Sequence, residues 1–159
     1  KGIHDKTFTR KGLTIDTFIN KAGLATLKIT SKNIGHAFPT YVTPKVVVQA
    51  TAFDSQGSVL DTWSWDIVRE VYYENGWKEK RDTRLLPGEI KMFVAETRLG
   101  NVAQVLFEVS VIPDQFYKGV YESLLSQAMQ KDAKTLIQQA LNTAKGRDYK
   151  LFSKTVILH

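Results

Sequence analysis

The sequence contains no cysteine, which excludes disulfides, thiolate metal sites and cysteine nucleophiles within its 159 residues. Histidine is nearly as scarce. His4, His36 and His159 are the only three, and they lie too far apart for the tight helical or loop spacings of zinc sites. His159 is terminal and is assigned no role. No apolar run approaches the roughly 18 to 20 residues of a membrane-spanning helix, and the first residues lack the apolar centre of a signal peptide. The chain opens on Lys1 rather than Met, as expected of a piece cut from a longer polypeptide. Missing too are the Gly-x-Ser-x-Gly elbow, the Gly-rich phosphate loop, the His-Glu-x-x-His helix and the dinucleotide fingerprint. The expectation is a domain without an enzyme active site.

What is present is ordinary for a globular chain. Apolar residues make up 43% and charged residues 24%, and a chain of this length removes roughly two-thirds of its unfolded surface from water around one core. The net charge is +6. Its lysines are dispersed among acids, as on a solvated surface, rather than gathered into an anion-binding block. No internal repeat or low-complexity segment is visible.

Between Leu13 and Ile112 the pattern is one of short β-type runs broken by turn signals. In residues 24–32, Ala25, Leu27 and Ile29 alternate with Thr26, Lys28 and Thr30, the period of a half-buried strand. Residues 45–53 read as apolar on both faces and lead into Asp54-Ser55-Gln56-Gly57, a hairpin turn. Asn75-Gly76, between residues 68–74 and 77–81, is the preferred pair for a two-residue type I′ hairpin. Leu86-Pro87-Gly88-Glu89 fits a type II turn, proline fixing φ at its first central position and glycine taking positive φ at the next. Val105, Phe107, Val109 and Val111 form the clearest inward stripe and mark a central strand.

After Pro113 the period changes to that of a helix. Tyr117, Val120, Tyr121, Leu124, Leu125 and Ala128 share one face, with Asp114 as N-cap. A second helix has Asp132 as cap, the stripe Ala133, Leu136, Ile137, Ala140, Leu141 and Ala144, and Gly146 as its stop. Residues 149–158 return to strand character. The predicted fold is therefore an immunoglobulin-like antiparallel β-sandwich over residues 12–159, with helices near 115–130 and 132–145 inserted before the last strand. Residues 1–11 lack a convincing period and read as a linker from an upstream segment.

Candidate chemistry is sparse. Trp63 and Trp65 lie two apart, so on a strand both point to one face, and with Trp77 they could form a platform for sugar rings. The apolar neighbours Val59 and Ile67 share that parity and favour burial. Asp82, Glu89 and Glu70 are the candidates for a hydrolytic carboxylate pair, although solvated strand ends account for them as well. Trp77-Lys78-Glu79-Lys80-Arg81 mixes basic and aromatic residues, but Glu79 interrupts the charge and no nucleic-acid module accompanies it.

The most distinctive segment is Asn33-Ile34-Gly35-His36-Ala37-Phe38-Pro39-Thr40, in which glycine, histidine and proline shape a loop. With Asp54-Ser55-Gln56-Gly57 and Asp82-Thr83-Arg84-Leu85-Leu86-Pro87-Gly88-Glu89, in the same order and spacing, it resembles the β-sandwich domain that follows the haem-binding part of certain multihaem c-type cytochromes. The opening Gly2-Ile3-His4-Asp5-Lys6-Thr7-Phe8 is similar to a His-Asp-His-x-Phe stretch common after the last haem motifs of that family, with Lys6 in place of the second histidine. Tyr41 stands where glycine commonly follows Pro-Thr.

The resemblance implies a non-catalytic accessory domain that packs on an upstream multihaem domain, shapes docking to redox partner proteins, and travels with its parent to the periplasm or cell surface. Lacking cysteine, the chain itself holds no covalent haem c. Its contribution would be an imidazole: His36 and His4 are the candidate axial ligands to a haem iron bound upstream. The rival reading is a carbohydrate-binding or cell-surface adhesion module built on Trp63, Trp65 and Trp77.

Overall fold

A computed structural model describes residues 2–97, 100–128 and 130–158; His159 lies outside them. Two antiparallel sheets face one another. One has the order β1 (Leu13–Ile19), β2 (Ala25–Ser31), β7 (Ile90–Val94), and the other the order β4 (Val59–Ile67), β3 (Lys45–Phe53), β8 (Gln104–Ile112), β9 (Tyr149–Ile157). These orders match the A-B-E and C′-C-F-G sheets of immunoglobulin-type sandwiches. Strands β5 (Arg69–Tyr73) and β6 (Trp77–Asp82) form a separate hairpin. Helices α2 (Gln115–Leu125) and α3 (Lys131–Lys145) are inserted between β8 and β9, where the change of period places them.

The core follows from the period-two patterns. Leu27 and Ile29 of β2, Val46 and Val48 of β3, and Phe107 and Val109 of β8 are fully buried. Strand β3 alternates, Val46, Val48, Ala50 and Ala52 buried and the intervening residues less so. The expectation that both of its faces were core-like is corrected. Only one face of each sheet looks into the sandwich, and Val47 and Phe53 lie half-buried on the outer one.

The turns fold mainly as read. Gly57 and Gly88 take φ of 84° and 77°, and the Glu89 N–H donates to the Leu86 carbonyl at 3.0 Å, closing the turn. At the tip of β5–β6 the outcome differs. Tyr73 pairs with Trp77, so Glu74, Asn75 and Gly76 together make a three-residue loop, with Asn75 at φ 53°.

The helices depart further from expectation. Helix α2 buries Lys118 rather than its apolar stripe, and Tyr117, Val120 and Leu124 are exposed. The two helices pack mainly on each other, and α2 also meets the β5–β6 hairpin through Phe116 and Trp77. Asp114 does not cap α2 with its side chain; its carboxylate is taken by His4 and Arg147. The residue at the N-cap of α3 is Gln130 rather than Asp132, and Gly146 ends α3 in a right-handed conformation, φ −68°, that needs no glycine. Within residues 1–11, read as a linker without a convincing period, a helix begins, α1 (Lys6–Gly12). Asp5 caps it by accepting from the Phe8 N–H at 2.9 Å, and Arg10 and Lys11 in the last turn suit the helix dipole.

Candidate functional site

Three of the four segments that carry the family resemblance, residues 2–8, 33–40 and 82–89, converge at one end of the sandwich, while Asp54-Ser55-Gln56-Gly57 forms the β3–β4 turn apart from them. Phe38 and Leu85 form an antiparallel bridge, each N–H donating to the other's carbonyl at 2.7 and 2.9 Å. Both side chains are buried, at 5% and 0% exposure. Arg84 strengthens the joint: Nη1 donates to the Thr40 carbonyl at 2.9 Å, while Nε and Nη2 hold the two oxygens of Asp82 at 2.9 and 2.6 Å. From the other side, the N–H groups of Lys32 and Asn33 donate to the Gly12 carbonyl, and the Asn33 amide donates to the carbonyl of Lys11. The loop of residues 33–40 is thus fixed between α1 and the turn before β7.

His36 sits at the exposed tip of this loop. Its Nδ1 lies 3.1 Å from the Ala37 carbonyl and 3.2 Å from Thr40 Oγ1. In the neutral tautomer that satisfies the Ala37 carbonyl, which only accepts, Nδ1 carries the proton and Nε2 keeps its lone pair. Nε2 makes no hydrogen bond to the described residues. Beside the ring lies a cavity of about 330 Å³ lined by Ile3, Phe8, Ile34 and Phe38 with Lys11 at its edge. A backbone acceptor on one ring nitrogen sets the tautomer and orientation of an imidazole and raises the basicity of the other nitrogen.

His4 is differently committed. Its Nε2 is 3.0 Å from Asp114 Oδ1, and Arg147 Nη1 reaches Oδ2 of the same carboxylate at 3.1 Å. Burial disfavours the charged form of Asp114, but the hydrogen bonds from His4 and Arg147 outweigh it and hold the carboxyl below its ordinary pKa. The neighbouring Ile3 carbonyl accepts from the Tyr149 hydroxyl at 2.7 Å. This residue clamps the N-terminal segment to the base of the helical pair, although Gly2 and Ile3 line the same cavity as His36.

The three tryptophans separate. Trp63 and Trp65 pair with Ala50 and Val48, share their inward face and pack on the core as half-buried side chains. Trp65 lies 5.6 Å from Phe93 of β7, centroid to centroid, closing the sandwich between two edge strands. Trp77 is 65% exposed on the β5–β6 hairpin. No common platform forms. The three carboxylates are likewise apart in role: Glu70 pairs with Arg81 at 2.8 Å, Asp82 with Arg84 at 2.6 Å, and Glu89 accepts from the Leu86 N–H at 2.6 Å. Each serves a turn or hairpin. The carboxyl of Asp82 is pulled down to about 2, chiefly by the Arg84 hydrogen bond, the opposite of what a general acid needs.

No helix among the described residues is long and apolar enough to cross a membrane. No family model matches the chain and no curated protein matches it significantly. Among solved structures, it is similar to a penta-haem cytochrome c552 from Thermochromatium tepidum, with a TM-score of 0.66, 16% sequence identity and 99% of this chain covered. The match takes in 42% of that cytochrome chain. At this identity the likeness is one of fold.

Proposed function

We propose that this domain is a non-catalytic accessory module of a multihaem c-type cytochrome, packing on the haem-carrying part and lending it the His36 imidazole as an axial ligand. The observation that carries the reading is the state of His36: exposed on a braced loop, with Nδ1 held by a backbone carbonyl and Nε2 turned free beside an apolar cavity. The fold it shares with a penta-haem cytochrome supports the same conclusion. The haem would supply the one-electron carrier. The residues of this chain would set its coordination, cover one apolar edge with Ile34, Phe38 and Phe8, and exclude water there. Electron transfer in the periplasm or at the cell surface, with redox proteins as partners, follows from that context.

His4 is not the ligand in this proposal, because its Nε2 would have to leave the Asp114 carboxylate. The test is the absorption and electron paramagnetic resonance of the haem-carrying parent protein with His36→Ala and, separately, His4→Ala. Conversion of one haem from low to high spin is expected in the first variant and not in the second. Unchanged low-spin spectra in His36→Ala would remove His36 as a ligand, and a spin change in His4→Ala alone would exchange the roles.

A further inference from the structure

A second concave surface shares no residue with the cavity beside His36. It is an open cleft of about 630 Å³ between the β5–β6 hairpin and α2. Trp77 stands at its mouth, 65% exposed, and Tyr73 beside it is 69% exposed. The indole is nevertheless held in place. Tyr73 meets it edge-on at 5.6 Å between centroids, and Phe116 of α2 supports it at 6.0 Å. A large exposed ring braced on two sides offers its remaining face to a ligand at little entropic cost.

The opposite wall of the cleft contains Gly119, in the middle of α2. A central glycine costs a helix about 1 kcal/mol relative to alanine. Here nothing inside the molecule requires it: a Cβ built at Gly119 meets no atom within 4 Å. Gly119 faces open space, and the missing side chain leaves the wall of the cleft low at this point. Val120 and Leu124 extend this wall with apolar surface, and Gln115 and Ser123 add an amide and a hydroxyl.

The charged residues of the cleft are already matched within the protein. Lys45 pairs with Asp66 at 2.9 Å, Arg69 with Glu79 at 2.7 Å and Glu70 with Arg81 at 2.8 Å. Lys80 lies 3.8 Å from Glu70. With most of these charges paired, what the cleft offers is the exposed aromatic face of Trp77 together with the amide of Gln115 and the hydroxyl of Ser123, a combination suited to a neutral ligand with flat apolar faces and hydroxyl edges.

We infer that the cleft between β5–β6 and α2 binds a neutral oligosaccharide, one pyranose stacking on Trp77 while the chain passes over Gly119. The axial C–H groups of a pyranose present a weakly positive face to the negative face of the indole. Trp63 and Trp65 take no part. This inference is independent of the haem reading and holds or fails without it.

The test is a tryptophan-fluorescence titration of the full chain with neutral hexasaccharides of the cellulose and chitin types. Saturable quenching with a blue shift, and protection of Trp77 from acrylamide, are expected for at least one of them. Trp77→Ala should weaken binding about tenfold or more, measured by calorimetry since the reporter is lost. Gly119→Leu keeps Trp77, strengthens the helix and fills the cleft, so it should weaken binding to a similar degree with an unchanged circular dichroism spectrum. The inference is overturned if no hexasaccharide binds, or if binding survives both substitutions. It is equally overturned if the cleft is protected only when a second protein is present, which would assign it to a polypeptide.

Discussion

Arg84 donates to both oxygens of Asp82 and to the carbonyl of Thr40, and so ties the turn before β7 to the loop that presents His36. Asp82 records this contact in its ionisation: the Arg84 hydrogen bond lowers its pKa from 3.8 to about 2. A carboxylate depressed in the folded state adds stability that is complete above its unfolded pKa and is lost as pH falls through its folded one. Arg84→Met should therefore be less stable than wild type at pH 7, with the gap closing between about pH 4 and pH 2. Urea melts across that range check it; a gap of constant size would mean that Arg84 acts through packing alone. At this scale the sequence was only partly legible. The positive φ of Gly88 follows from the Pro-Gly pair, but nothing near Arg84 in sequence announces a carbonyl 44 positions earlier. The two histidines were equally plausible as ligands for the same reason. What separates them is Asp114, 110 residues from His4.

The strands and the helices were legible to different degrees, for one physical reason. A strand with one face in the core must alternate, so β2 and β8 declare themselves through Ala25, Leu27 and Ile29 and through Val105, Phe107, Val109 and Val111. Phe107, fully buried at the centre of β8, should cost about 3 to 5 kcal/mol when replaced by Ala, read as a shift in urea midpoint; a cost under about 1 kcal/mol would place it outside the core. Apolar periodicity in a helix shows that a face exists, not what covers it. Tyr117, Val120 and Leu124 are exposed, while Lys118, only 8% exposed at its side chain, pairs with Asp148 at 2.5 Å. Removing the carboxylate strands a buried ammonium, whereas removing the lysine strands only a partly exposed carboxylate. Asp148→Ala should thus destabilise the fold by about 1 to 2 kcal/mol, the exposure of the Asp148 carboxylate to solvent reducing the cost, and Lys118→Met by less. Thermal melts of both variants check the order, and equal losses would contradict it. Helix α1 escaped notice because its seven residues are too few to show a period. Asp5 ahead of Phe8, with Arg10 and Lys11 at the far end, was the available signal.

At the scale of the molecule, a sandwich is a frame with two kinds of working surface, its loop ends and its inserted elements. Here the loop end gathers residues 2–12, 33–40 and 82–89 around His36, and the insertions, β5–β6 and α2, enclose the aromatic cleft. The sequence order of the first group was readable as a resemblance. Its meeting in space needed the fold, since β2 must pair with β7, and the chain must cross from β2 to β3 in the facing sheet, before Phe38 can bridge Leu85. The second group carried no shared motif and was invisible as a unit, because Trp77 and Gly119 lie on separate insertions. The proposed function requires the protein that carries this domain to be a c-type cytochrome. Its most direct test is the optical spectrum of that protein isolated from its source, with a pyridine haemochrome assay. A Soret band with a c-type α-band, at a stoichiometry of several haems per polypeptide, is the predicted result; a colourless protein would contradict it.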